Sequence, residues 1–484
     1  MNENNASLQS SDSNNGFKLN YKRTYFIGFA FFGILLLWQV YDSWCPKFLT
    51  ELFKEALHTN NSEDVQYLVG IMMALDNLAA LIMLPIFGHL SDKTHTRIGK
   101  RMPYILIGTF LCAITFPFVP VAFHFHSIAG TIITMAFVIF FAMMYRNPAV
   151  ALMPDITPKP LRSKANGIIN IMGYIGGACA TILGIGFNLS KSYLPGWSTG
   201  NANIWIIEAP FLIGSLLMVI SALVLFFKIK ENEVQIEMKD EMERGEKYAE
   251  VAERVTDDDS KPMSKANKIM LWMILGAEFL WFMADNGINT FMAVYTTDYL
   301  LCQHSSSMIN IIVGGVGSVL GFGIGGVIAS KIGRKWSVFA GLGLTFSGLL
   351  LWLILGLSIP VNPVDVNAGE FNTFPFYLYI VWFIKGFGMS LVHVNSFPMV
   401  VELCSSSKIG KFTGFYYAAS MAAQTITPIA LGSLLLLPNF SFKLLPLYAL
   451  VLVGCSAIVF FFIKNVKNNK TQNKFGLDAF GDND

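Results

Sequence analysis

Seven ionisable residues interrupt stretches that are otherwise apolar: the acids Asp42, Asp76, Glu278 and Asp285, the bases Arg146 and Lys385, and the titratable His393. If those stretches cross a bilayer, a charge at mid-helix costs about 2.5 to 3.5 kcal/mol, so it is kept where it faces a cavity or a partner. Four acids stand against two permanent bases. A buried carboxylate regains charge balance by taking up a proton or Na⁺, and that exchange is the chemistry these residues suggest. Internal pairing, such as Asp42 with Lys385, is the alternative. Trp38 and Trp281 each precede an acid by four residues, Asp42 and Asp285, which places ring and carboxylate one helical turn apart. An aromatic face beside an acceptor suits a sugar, whose CH face stacks while its hydroxyls need partners. The neighbours Gln39 and Asn286, together with Asn166, Asn170 and Tyr174 at i, i+4 spacing, extend the candidate polar lining. Arg146 and Lys385 complete it. No HExxH or GxxxxGK[ST] motif is present, so a zinc peptidase or an ATP-driven machine has no catalytic sequence to rest on.

These residues need long apolar elements to hold them, and the composition supplies such elements. Of 484 residues 54% are hydrophobic and only 14% charged, with a mean hydropathy of +0.52. A soluble chain carries about 25% charged residues, so this one belongs in a lipid bilayer. Apolar runs of about 20 residues are long enough to cross it. Twelve are found, at 24–46, 66–90, 103–125, 128–153, 164–187, 205–228, 269–297, 308–330, 336–358, 375–400, 411–437 and 443–464. Glu208, about one turn inside the sixth, is expected to reach water. A net charge of +2 leaves no nucleic-acid footprint. The six cysteines, Cys45, Cys112, Cys179, Cys302, Cys404 and Cys455, are scattered singly and form neither a disulfide framework nor a CxxC metal site.

Orientation follows from Lys and Arg in the short loops. Loops after even-numbered spans hold twelve: Lys93, Arg97, Lys100, Arg101, Lys159, Arg162, Lys164, Lys331, Arg334, Lys335, Lys408 and Lys411. Loops after odd-numbered spans hold four, Lys47, Lys54, Lys191 and Lys443. Both termini are therefore expected to be cytoplasmic. The first residues, rich in Asn and Ser, lack the features of a removable signal peptide. The expected organisation is a polar tail at 1–23, a six-helix half at 24–228, a charged cytoplasmic linker at 229–268, a second six-helix half at 269–464 and a tail at 465–484. A charge run usually just faces water, so the linker is expected to be solvated, with some amphipathic helix.

The halves repeat. Leu37-Trp38-Gln-Val-Tyr-Asp42 matches Leu280-Trp281-Phe-Met-Ala-Asp285, while Asp155, Lys164 and Gly167 match Glu402, Lys411 and Gly414. Ile98-Gly-Lys-Arg101 is echoed by Ile332-Gly-Arg-Lys335. Two six-helix parallel repeats are the plan of a carrier that rocks about a mid-membrane site. Gly88 and the run Gly317, Gly321, Gly325 are expected to let neighbouring helices approach closely.

The segment Gly88-His-Leu-Ser-Asp92-Lys-Thr-His-Thr-Arg97-Ile-Gly-Lys-Arg101-Met-Pro-Tyr resembles the loop signature of the major facilitator superfamily. Its form is that of the glycoside-pentoside-hexuronide:cation symporters and the related proton-coupled sucrose transporters, and Tyr145-Arg146-Asn-Pro148-Ala-Val-Ala-Leu152-Met-Pro154-Asp155 adds to the likeness. The resemblance implies an all-α membrane protein of twelve helices and a cytoplasmic latch built from Gly88, Asp92, Arg97 and Arg101. It also implies a single chain working in the plasma membrane. Two departures stand out. With Pro148 on the family's span-4 proline, Arg146 falls where melibiose-type permeases carry a sugar-binding aspartate, and their paired cation-binding aspartates fall on Ala80 and Leu84. That Na⁺ site is not carried over.

The expected function is secondary active transport, a disaccharide or glycoside moving with H⁺, with Na⁺ as the other coupling ion. Asp42, Asp76, Glu278 and Asp285 are the coupling candidates, and no cofactor or metal is expected. A facilitator or exporter of another small polar solute or drug would show the same twelve spans.

Overall fold

The structure is a computed structural model, described here over residues 17–187, 207–256, 265–366, 369–403, 409–437 and 441–463. The Asp257-Asp-Asp run, Lys191, Cys404, Lys408 and the terminal tails at 1–16 and 464–484 lie outside these residues. Among the described residues the regular structure is helical. The first half runs α1 Tyr21–Ala56, α2 Gln66–Lys93, α3 Met102–His124, α4 Ile128–Asp155, α5 Lys159–Gly186 and α6 Ala209–Lys228. A linker helix, Glu231–Thr256, follows. The second half runs α7 Lys265–Val294, extended by a π turn to Tyr299, then α8 His304–Ile332, α9 Arg334–Ser358, α10 Phe376–Glu402, α11 Ile409–Leu434 and α12 Leu445–Phe461. Eleven of these helices are apolar over a length that crosses a membrane, and α11 packs among them as the twelfth.

Buried apolar side chains form two separate cores, one drawn from residues 27 to 234 and the other from 271 to 463. Glycines let helices within a half approach closely. Cβ atoms on Gly317 and Gly321 would overlap the carbonyls of Phe383 and Phe387 on α10. The same device joins the halves, because a Cβ on Gly70 of α2 would overlap the Pro428 carbonyl of α11, and one on Gly432 would overlap that of Gln66. Pro428 has no N–H, so the Gln424 carbonyl one turn back lacks its helical donor. Asn77 of α2 supplies one at 3.1 Å.

The other polar links between the halves lie toward the end where α1 runs into α2. His304 bonds the Ser43 carbonyl at 3.2 Å, the Phe442 amide donates to Glu63 at 2.7 Å, and Asp298 binds both Lys47 and Ser62. Here the structure corrects the reading of Lys47 as a loop charge. Helix α1 runs through Pro46 and ends at Ala56, so Lys47 is a helical residue 3% exposed, paired with Asp298 and, at 2.8 Å, with Glu51.

The linker helix is docked rather than freely solvated. Glu231 is fully buried, and its carboxylate accepts from the backbone amides of Lys100, Arg101 and Met102 at 3.0 to 3.1 Å, capping the start of α3. Asn232 donates to the carbonyls of Thr96 and Arg97, each at 2.9 Å, and Arg23 of α1 grips both carboxylate oxygens of Glu237 at 2.8 and 2.9 Å. Farther along, Lys247 donates to Glu243 at 2.7 Å and holds that carboxyl below its usual range. Glu208 is buried at the foot of α6, 3.7 Å from His124, and so does not reach water as expected.

Candidate functional site

Helix α1 is central, packed on α4, α5 and α6 of its own half and on α2 and α7. An exposed residue halfway along such a helix faces space inside the protein, not lipid. Asp42 is one, flanked by buried Tyr41 and Ser43. One turn back lies half-buried Trp38, with the Arg146 guanidinium of α4 over its ring at 5.7 Å. Asp42 stands near enough for its charge to act on Arg146. Asp76 of α2 accepts a 2.5 Å hydrogen bond from the buried Tyr41 hydroxyl, so the two acids and the base of this half form one electrostatic group.

The second half is arranged differently. Lys385 of α10, 7% exposed, sits 2.7 Å from Asp285 and donates at 2.8 Å to Asn289, whose amide in turn donates to Asp285 at 3.0 Å. Internal pairing is therefore present, but with Asp285 as Lys385's partner rather than Asp42. The His393 ring of α10 lies tilted against Phe282, with centroids 5.2 Å apart, and faces the same charges. Glu278 is fully buried below them, and neither carboxylate oxygen has a hydrogen-bond partner among the described residues. The nearby titratable group is Tyr416, whose hydroxyl is engaged with Ser396 at 2.9 Å. A carboxylate without base or donor can be held there only with its proton.

The other expected lining residues divide. Trp281 is fully buried against Phe460 of α12 with its indole N–H unpartnered, so it does not share the internal face that Trp38 occupies. Gln39 donates along its own helix to Ser43 at 3.0 Å. Asn166 is buried and accepts from Asn170 at 3.3 Å, so these two amides are bonded to one another, while Tyr174 is 55% exposed. Asn286 keeps a buried carbonyl oxygen without a partner. Sequence reasoning missed Tyr41, Lys47, Asp298, Asn289 and Glu231. Only Asn289 left a signal, its i+4 spacing from Asp285.

At the α2–α3 loop, Arg101 is 5% exposed and binds Asp92, Asp155 at 2.8 Å, Ser91 at 2.5 Å and the Gly88 carbonyl at 3.4 Å. Lys100 adds a second pair to Asp155 at 3.0 Å. Arg97 is exposed and outside this network; its carbonyl, not its guanidinium, is what Asn232 holds.

Two helical halves around charged residues held at mid-membrane, meeting at one end, define a multi-pass membrane carrier and not an enzyme. The Major Facilitator Superfamily model matches residues 25–362 and 303–480, and the chain belongs to that family. No curated protein sequence matches it. Among solved structures, a bacterial homologue of the iron transporter ferroportin in an inward-facing state is 13% identical, with a TM-score of 0.63 over 92% of this chain and 99% of that one. A bacterial homologue of the human lysosomal transporter Spinster, inward-facing and occupied, is 14% identical over 92% and 97% of the chains, TM-score 0.61. A mutant form of the nucleoside transporter NupG is 12% identical over 91% and 99%, TM-score 0.61. At these identities the likeness concerns the fold.

Proposed function

We propose that this carrier is a proton-coupled symporter for a small polar solute, with sugars as the solute class. The observation that carries the reading is Asp42, an exposed carboxylate on the central helix beside an aromatic ring and an interacting guanidinium. Loading Asp42 with a proton changes the charge balance at the place where solute would stack on Trp38, which ties the two binding events together. With loop basicity placing the α2–α3 loop in the cytoplasm, the links at the α1–α2 end close the outer side. The arrangement is then inward-facing, ready to release both ligands into the cell. Glu278, buried without a partner among the described residues, is a second proton site on the cytoplasmic side of Asp285.

The test is uptake of labelled disaccharide by proteoliposomes with and without a pH gradient, in Asp42→Asn, Asp76→Asn, Glu278→Gln and Asp285→Asn forms. Replacing the coupling acid abolishes pH-driven accumulation yet spares exchange of labelled for unlabelled sugar, because exchange needs no net proton movement. If all four variants accumulate like wild type, the coupling assignment fails, and wild-type uptake indifferent to both pH and Na⁺ gradients would make the protein a uniporter.

A further inference from the structure

Arg146 and Lys385 are the two permanent cations at mid-membrane, and they are treated differently. Lys385 is neutralised by Asp285 at 2.7 Å. Arg146 makes no ion pair and no hydrogen bond with any described residue; its contact is the Trp38 ring. A guanidinium placed over an indole keeps its N–H edge free, and that planar fork matches a carboxylate or a phosphate in bidentate fashion. Its electrostatic counterweight is Asp42, the same acid proposed to take up the proton. We infer that Arg146 is an anion-binding residue and that the transported solute carries a carboxylate or phosphate, admitted when Asp42 is protonated. The inference rests on the proton-coupled reading above.

The charges state the consequence. In the empty carrier, Asp42 as carboxylate and Arg146 as guanidinium sum to zero. In the loaded carrier, neutral Asp42, cationic Arg146 and a monoanion also sum to zero, with the other groups unchanged. Both crossings therefore carry the same charge, and proton–monoanion symport is electroneutral. A neutral solute carried with a proton leaves the loaded form one charge more positive, so its uptake is driven by an interior-negative potential.

The experiment uses the full chain in proteoliposomes with labelled glucose, glucuronate and lactate, under a pH gradient alone or a valinomycin-imposed potassium potential alone. Glucuronate uptake should follow the pH gradient and change less than twofold with potential, glucose should not compete, and Arg146→Gln should weaken half-saturation for glucuronate at least tenfold while Arg146→Lys retains part of it. Uptake of lactate as well as glucuronate supports the anion site and removes the sugar requirement. Potential-driven glucose uptake that survives Arg146→Gln leaves sugar symport standing and overturns the anion site. Uptake of none of the three overturns both. The potential arm needs no variant, so misfolding of Arg146→Gln does not blunt it.

Discussion

In the first half the mid-membrane charges stand apart: Asp42 is open to the interior, Arg146 lies over a ring, and Asp76 is held by a phenol. In the second half they close on one another, with Asp285, Lys385 and Asn289 in mutual hydrogen-bond contact and Glu278 sealed in the core. A closed pair is a fixed brace between α7 and α10. An open group can change its charge without losing a contact, and so can respond to a ligand. One half thus offers a responsive surface and the other a stiff one, although both are built from the same repeated pattern.

The largest effect expected from this contrast is on stability. Removing one member of a buried pair leaves the other charge uncompensated, which costs about 3 to 5 kcal/mol, whereas removing both is close to neutral. Lys385→Met should therefore lower the melting temperature of the purified protein sharply, and the Asp285→Asn, Lys385→Met double variant should recover most of the loss. Asp42→Asn and Arg146→Gln should each stay within about 1 kcal/mol of wild type. Comparable melting losses in the two halves would dissolve the comparison.

Much of the fold was legible because bilayer thickness imposes long apolar runs and loop charge imposes a pattern. The candidate site was legible by residue type and not by partner. Asp42 and Asp285 occupy matched positions, but which acid meets Lys385 depends on how α7 and α10 are rotated, and no spacing along the chain encodes that. Lys47 read as a loop charge because it falls just past the first apolar run at 24–46; its partner Asp298 is 251 positions away. Glu231 read as part of a solvated charge run, yet it is the buried cap of α3, visible only once the linker helix is folded back against the first half.

A smaller effect separates the echoed loops. Arg101 is buried among Asp92, Asp155 and Ser91, whereas Lys335 is half-buried and donates to the Phe461 carbonyl at 2.8 Å beside the Trp336 and Phe461 rings. Arg101→Ala should lower turnover at least fivefold with little change in half-saturation, since this network biases conformations rather than touching solute. Lys335→Ala should leave both within twofold. An affinity loss confined to Arg101→Ala would instead place solute at the cytoplasmic mouth.

The two tryptophans give the finest discrimination, because the same substitution probes both halves. Trp281 is enclosed by the second core, so Trp281→Phe leaves a small cavity and removes an indole N–H that has no partner to lose. The cavity destabilises by about 1 to 2 kcal/mol, and the lost N–H, being unsatisfied, adds nothing to that cost. Half-saturation for solute should not move, since the ring touches Phe460 and not the interior space. Trp38→Phe removes area from a half-buried ring that carries Arg146, so stability should change by less than about 0.5 kcal/mol. Phenylalanine offers a weaker face both for the guanidinium and for a stacked ring, so half-saturation should rise several-fold. Measuring melting temperature and half-saturation on each pair of variants separates four outcomes. If Trp281→Phe shifts affinity and Trp38→Phe shifts only stability, the responsive surface belongs to the second half, and the assignment of Asp42 and Arg146 moves with it.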